Sequence, residues 1–200
     1  MKIKNNSCSV IILAGGHSSR MGSPKSWLRI NNDTFCNQIV STYFNYGITD
    51  ITVILNEKHA TKEWEKELKM VSQKATIVIN PYPNNGRLFS IYLGLKSVKN
   101  NSVFIHNVDH PFIDVEVLKQ LENNINTAEV IIPSYLGKGG HPVLITENVI
   151  NEISTNYQGY KSLKEALGFF TKKHIDVNSN SILNNINTPQ HFEALINESV

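Results

Sequence analysis

The sequence predicts an α/β fold: a three-layer α/β/α, Rossmann-like arrangement around a mostly parallel sheet. Three observations carry that prediction. Short β-branched runs alternate with stretches that are apolar at helical spacing. The runs themselves are almost uninterrupted in their hydrophobicity, as suits strands covered on both faces. The polar and glycine-rich segments fall directly after strand candidates, where ligands gather in open α/β sheets.

Val10 to Ala14 is the first strand candidate, and Gly15-Gly16 closes it. Phe35, Ile39, Val40 and Tyr43 share one helical face after a cap at Asp33 or Thr34. Ile51 to Leu55 is the second strand, and Trp64 with Leu68 marks the helix that follows. Thr76 to Ile79 is the third strand; Leu88, Ile91, Tyr92 and Leu95 form the apolar face of the next helix. Val103 to Ile105 is a fourth strand, followed by a helix from Val115 to Leu121 with Asp114 as N-cap. Val130 to Ile132 is a fifth. Regular alternation of this kind argues for right-handed βαβ units. Beyond Pro133 the pattern loosens into a glycine-rich stretch (137–140), a short strand near Val143, a helix around Ser162 to Phe169 and a terminal helix after Pro189. That part reads as an elaboration of the same domain, so one domain over residues 1–200 is expected.

Of the 200 residues 40% are hydrophobic and 18% charged, enough apolar material for a sizeable core. Nineteen basic against seventeen acidic residues leave no broad cationic face for nucleic acid or a membrane surface. No apolar run approaches a membrane span, and the N-terminal segment lacks the apolar length of a signal peptide; a cytoplasmic location is expected. Cys8 and Cys36 show neither metal-ligand spacing nor a disulfide framework.

The strongest chemical signal is Leu13-Ala14-Gly15-Gly16-His17-Ser18-Ser19-Arg20-Met21-Gly22-Ser23-Pro24-Lys25. Glycines let backbone N–H groups approach an anion, and Arg20 and Lys25 add two cations beside the turn, one a fork and one a point charge. The third glycine of the dinucleotide fingerprint is missing, as is the Gly-Lys-Ser/Thr of a Walker loop. In Phe104-Ile105-His106-Asn107-Val108-Asp109-His110-Pro111-Phe112, a strand ends at a carboxylate and Pro111 stops its continuation. Asp109 can therefore either cap the turn or hold Mg²⁺, a hard cation that prefers oxygen and bridges phosphates. His106 and His110 are four apart, a spacing that makes a zinc pair only on a helix, and here it falls on strand and turn. No serine or cysteine has a sequence-evident activating base.

Three further segments are loops with ordinary structural readings. Asn80-Pro81-Tyr82-Pro83-Asn84-Asn85-Gly86-Arg87 leads into a helix start where backbone donors and Ser90 could meet a base edge or an anion. Gly137-Lys138-Gly139-Gly140-His141-Pro142 is either a hairpin loop or an anion-binding one. Asn184-Asn185-Ile186-Asn187-Thr188-Pro189 precedes a helix, with Thr188 as cap and Pro189 at its first position.

Together, over about residues 8 to 195, these segments resemble the MobA-like nucleotidyltransferases, which include the molybdenum cofactor guanylyl- and cytidylyltransferases. The resemblance implies a fold of the nucleotide-diphospho-sugar transferase type. It also implies a loop of Leu13, Ala14, Gly15, Gly16 and Ser18 around a triphosphate, with Arg20 and Lys25 stabilising attack at the α-phosphate. Asp109, in a segment similar to the family's Asp-x-Pro motif, becomes the ligand of Mg²⁺, and Asn187 a second ligand in place of the aspartate usual among cytidylyltransferases; Asn185 stands likewise for an aspartate. Asn80, Arg87, Ser90 and Gly94 fall in the base-binding segment, with the serine on the base. Lys138 and His141 fall in a motif that meets the acceptor.

The implied reaction moves a nucleoside monophosphate from CTP or GTP to a phosphorylated small molecule, with pyrophosphate released. Molybdopterin is the acceptor the resemblance suggests. The motifs divide over the base: Leu-Ala-Gly-Gly and Asn-Ile-Asn-Thr-Pro lean to GTP, Arg87 to Ser90 and Gly-Gly-His-Pro to CTP. Two other classes stay in view, a nucleotide sensor without transferase activity and a dinucleotide oxidoreductase. The second lacks both the fingerprint and a suitably spaced ribose-binding acid.

Overall fold

The computed structural model describes residues 8–16, 22–30, 32–188 and 190–193. Strand β1 (Ser9–Ala14) is buried along its whole length. A two-stranded ribbon, β2 (Arg29–Ile30) with β3 (Asp33–Thr34), leads into α1 (Phe35–Tyr46). Of the two expected caps Thr34 is the one used: its hydroxyl accepts the Asn37 amide at 3.2 Å, satisfying a donor that the helix start leaves free. Next come β4 (Ile51–Asn56), α2 (Glu65–Ser72), β5 (Thr76–Asn80), α3 (Gly86–Leu95) and β6 (Ser102–Asn107). Helix α4 (Val115–Asn123) starts at the expected Asp114, whose carboxylate accepts the Glu116 amide. The remaining elements are β7 (Val130–Tyr135), β8 (Lys138–Gly139), β9 (Val143–Thr146), α5 (Glu147–Asn156), α6 (Leu163–Ala166) and β10 (Lys172–Asp176).

The main sheet runs β10-β7-β9-β6-β1-β4-β5, with β8 attached to β7. β1 is parallel to β4 and β6, β4 to β5, and β7 to β10. β9 is antiparallel to both of its neighbours, β6 and β7. The sheet is thus mixed but mostly parallel, as expected. Because β9 runs downward from the rim where β1 and β6 end, α5 climbs back toward that rim, opposite to a helix following a parallel strand.

Alternation along β1 builds two cores. Val10, Ile12 and Ala14 face α1 and α4, packing with Phe35, Ile39, Tyr43, Leu118 and Phe104. Ile11 and Leu13 face α3, α5 and α6, packing with Leu88, Ile91, Val149, Ile153 and Leu167. Helices therefore cover both faces of the sheet. Truncating a fully buried ring such as Phe104 to alanine would cost about 3–5 kcal/mol.

Several details differ from the sequence reading. Thr76–Asn80 is an edge strand, so Ile79 is 40% exposed instead of covered on both faces. The charged run Lys172–Asp176 forms the opposite edge, β10; its exposed lysines suit an edge that must resist further pairing. The helix expected over Ser162 to Phe169 is one α-turn, α6, continued by a 3-10 turn. Residues 190–193 are helical, and Thr188 accepts the His191 amide as the expected cap; Pro189 lies outside the described residues. Among the described residues no helix is long and apolar enough to cross a membrane.

Candidate active site

The carboxyl ends of β1, β4, β5 and β6 meet at one rim, each ending in a residue with work to do there. After β1 the chain turns at Gly15 and Gly16. Asn56, the last residue of β4, reaches across with its amide to the carbonyl oxygens of Gly15 (3.3 Å) and Gly16 (3.5 Å). The start of the glycine turn is thereby fixed from a neighbouring strand. At the end of β5, Asn80 is fully buried and accepts the Tyr82 amide through Oδ1. That bond fixes its orientation, so Nδ2 donates to Ser90 Oγ at 3.0 Å. The Ser90 hydroxyl proton is then free to point into the cavity that the residue lines.

Asp109 is set by backbone bonds on both sides. Val108 N–H donates to the Leu13 carbonyl, closing the turn onto β1. The Ile186 amide donates to the Asp109 carbonyl at 2.8 Å, which brings the segment around Asn187 over the site. Lys25 approaches from a 3-10 turn, Lys25–Trp27, anchored by the buried Trp27. Trp27 donates its indole N–H to the His59 carbonyl and stacks on Trp64, with ring centres 6.1 Å apart. The ammonium of Lys25 is 3.4 Å from Asp109 Oδ2 and also donates to Asn187 Oδ1. Two residues from distant parts of the chain thus converge on the cation of a third.

Behind Asp109 lies a group of three histidines, of which the sequence reading set aside His106 and His110 as a metal pair and placed His141 at the acceptor. His106 is fully buried. Its Nε2 donates to the His110 carbonyl at 2.8 Å, which leaves Nδ1 to accept the Tyr43 hydroxyl at 3.0 Å. Burial pushes its pKa down to about 4. His110 is lowered as well, by burial first, and its Nε2 lies 3.8 Å from Asp109 Oδ1. His141, pressed down to about 2 by burial and then by the charge of Arg87, takes the Asn107 amide on Nε2 at 3.1 Å. All three rings are held below the ordinary histidine range by burial, and they brace the loop that carries Asp109.

These elements enclose a cavity of about 420 Å³. Leu13, Ala14, Gly15, Gly16 and Lys25 line one side of it; Arg87, Ser90, Asp109 and Asn187 line the rest, with Pro83, Gly86 and Asn107. Nine residues singled out in the sequence therefore meet in one place. Ser18 and Arg20 lie outside the described residues. Asn80 stands behind Ser90 and holds it. Asn185 is exposed and lines no part of this cavity.

Two expectations need correction. Gly94 is a packing residue, not part of the cavity: it is buried against β1, and a Cβ there would come within 2.7 Å of Ile11 Cγ2. Lys138 sits exposed on the β7–β8 hairpin, paired with Tyr135, and does not line this cavity. His141 reaches the cavity only through Asn107. Asn56 and Asn107 were missed. Their signal was available: each is a polar residue ending a buried parallel strand, the place where such sheets hold ligands.

The donor set fits a hard divalent cation. Asp109 Oδ1 is buried without a hydrogen bond, and Oδ2 faces a cation already. Among the described residues no group of three or more His, Cys, Asp or Glu could hold a metal. One carboxylate and one amide oxygen instead match the sparse protein ligation of Mg²⁺, which completes its shell with phosphate and water oxygens.

The sequence profile of the MobA-like NTP transferase domain matches residues 10–175. A probable molybdenum cofactor guanylyltransferase from Clostridium perfringens is 29% identical over 94% of this chain and 96% of its own. The molybdenum cofactor cytidylyltransferase of Escherichia coli is 23% identical, covering 91% and 92%. Among solved structures, Rv0371C of Mycobacterium tuberculosis in complex with manganese superposes with a TM-score of 0.74 at 16% identity, covering 98% of this chain and 100% of its own.

Proposed function

The chain belongs to the MobA-like NTP transferase family of nucleotidyltransferases, and from that premise we propose that it transfers a nucleoside monophosphate from CTP or GTP to a phosphorylated acceptor, with molybdopterin as the candidate acceptor. The observation that carries the proposal is the Lys25 ammonium held between Asp109 and Asn187 beside the glycine turn. A cation fixed in this way meets a triphosphate without having to be ordered at the moment of reaction.

In the proposed reaction an oxygen of the acceptor phosphate forms a bond to the α-phosphorus. The bond from that phosphorus to the bridging oxygen breaks, and its electron pair leaves with pyrophosphate. A phosphate monoester is already ionised, so no strong general base is required. Glycine-turn amides would hold the tail, Lys25 would neutralise charge developing on the α-phosphate, and Arg20 would add a second cation. Mg²⁺ would be held by Asp109 through Oδ1, the oxygen that Lys25 does not use, and by the second lone pair of Asn187 Oδ1, and would supply further positive charge there.

Ser90, with its proton free for the cavity, would donate to an acceptor atom on the base edge. A Cβ on Gly15 would lie 3.1 Å from Ser90 Oγ, so the glycine keeps that end open, which favours the larger guanine ring.

The test is pyrophosphate release with CTP, GTP, ATP and UTP, with Mg²⁺ and molybdopterin, beside a thermal-shift series. A nucleotide at 100 times its dissociation constant should add about 2.7 kcal/mol of stability. Stabilisation and Mg²⁺-dependent release by the same one or two nucleotides supports the reading. Stabilisation without release would instead identify a sensor.

A further inference from the structure

After β10 the chain runs as a strap, residues 177–187, that brings Asn187 to Lys25. Val177, Ile182 and Ile186 are buried and seat the strap on the core that faces α1 and α4. Backbone bonds tie it down at three points. Val177 N–H donates to the Ser134 carbonyl at 2.9 Å, His141 N–H to the Ile182 carbonyl at 3.0 Å, and Ile186 N–H to the Asp109 carbonyl at 2.8 Å. The last of these lies one residue before Asn187. Wherever the strap settles, the amide oxygen that meets Lys25 goes with it.

Gly140 controls the middle tie. Its own N–H donates to the Pro133 carbonyl at 2.8 Å, which pins it to β7. On its other side the strap comes so near that a Cβ on residue 140 would lie 2.4 Å from the Ile182 carbonyl oxygen and 2.7 Å from Ile182 Cβ. These are backbone and the first side-chain carbon, which cannot swing aside as the end of a flexible side chain would. Ordinary contact begins at 3.4 Å, so a side chain at 140 displaces the strap by about 1 Å or breaks the tie from His141 to Ile182. A misplacement of about 1 Å, even from a change far from the chemistry, can cost roughly 10²-fold in rate.

We infer that Gly140 is a positioning residue for the transfer: its missing side chain fixes how closely the strap lies, and thereby where the Asn187 amide oxygen meets Lys25 and the metal. The inference rests on the transferase reading above and goes beyond it, since Gly140 does not line the cavity. It sets the Gly140-His141 step to work behind the site: residue 141 holds the strap through its backbone and Asn107 through its ring.

The experiment compares the parent, Gly140→Ala, Asn187→Ala and the double variant, each as the full chain holding one equivalent of the α,β-methylene analogue of CTP or GTP. Mn²⁺ is titrated in and the free ion is followed by electron paramagnetic resonance. Nucleotide binding is measured separately in EDTA, and folding by urea. Gly140→Ala should weaken Mn²⁺ binding roughly tenfold, as loss of support behind a metal ligand commonly does, and leave metal-free nucleotide affinity within about twofold of the parent. In the Asn187→Ala background the same substitution should change Mn²⁺ binding by less than about twofold, because the group it misplaces is already gone. Ile182→Ala, which removes the buried anchor at the tie without adding bulk, should give the same pattern, and it decides the matter if Gly140→Ala does not fold.

Mn²⁺ binding by Gly140→Ala equal to that of the parent overturns the inference. So does a loss of the same size with and without Asn187, which makes Gly140 merely structural. A parallel loss of metal-free nucleotide binding overturns it too, because the disturbance then reaches the whole cavity, and so does a parent that binds nucleotide but no Mn²⁺. Failure of the parent to bind any nucleotide is the separate result that removes the transferase reading itself.

Discussion

Two cations line the cavity, and they are held in different ways. Lys25 is clamped to Asp109 and Asn187, on a turn locked by a buried tryptophan and against a loop braced by buried histidines. Arg87 is exposed and, among the described residues, makes no hydrogen bond or ion pair; it meets Asp109 only through the longer-range attraction of their charges. The first wall is built before any ligand arrives, which is what stabilising a transition state requires. The second presents an unsatisfied charge, which suits capture and release of anions. One cleft thus divides the work between a rigid half and a receptive half.

That division can be broken by experiment. Replacing Lys25 or Asp109 by alanine should lower kcat for pyrophosphate release by roughly 10²–10³-fold. A loss seen only in KM would place Lys25 on the receptive side and erase the contrast.

The bracing predicts an acid effect of intermediate size. The pKa of His106 in the folded chain is about 4, below its ordinary 6.5, so on acidification the unfolded chain takes up the proton first. Stability from this group is complete above pH 6.5 and is lost as the pH falls toward 4. Between pH 7 and 5 the loss is on the order of 2 kcal/mol, to which the lowered His110 and His141 add in the same direction. Urea unfolding at the two pH values measures it, and His106→Gln should remove its own share. A His106→Gln variant with the full acid dependence of the parent would show that the brace lies elsewhere.

The smallest effect is expected at the open wall. Arg87→Ala should weaken nucleotide binding about tenfold, or 1.4 kcal/mol, and leave unfolding within 0.5 kcal/mol of the parent, as exposed positions usually do. Calorimetric titration beside thermal unfolding separates the two quantities. A large stability loss would mean that Arg87 is structural after all.

Much of this was legible in the sequence because it is local. Strand runs and the Asp114 cap depend on neighbours in the chain, and they stand as read; Asp109 falls in the turn two residues beyond the end of β6. The misses are long-range. Tyr43 and His106 are 63 positions apart, and only the packing of α1 on β6 makes them partners. Gly94 sits in a motif that resembles a binding segment, yet its lack of a side chain serves the close approach of α3 to Ile11. β10 went unseen because a charged edge strand carries no apolar alternation. Lys138 looked well placed on paper; the direction of a hairpin cannot be read from glycines alone.

The reversal of β9 between β6 and β7 has a consequence for how this chain can diverge. Had it run with its neighbours, the helix after it would have ended at the far side of the sheet. Instead the segment carrying Tyr157, Lys161 and Lys164 returns to the catalytic side, and it belongs to a stretch that supplies nothing to the glycine turn. Residues 157–164 can therefore change without touching the glycine turn, Lys25 or Asp109.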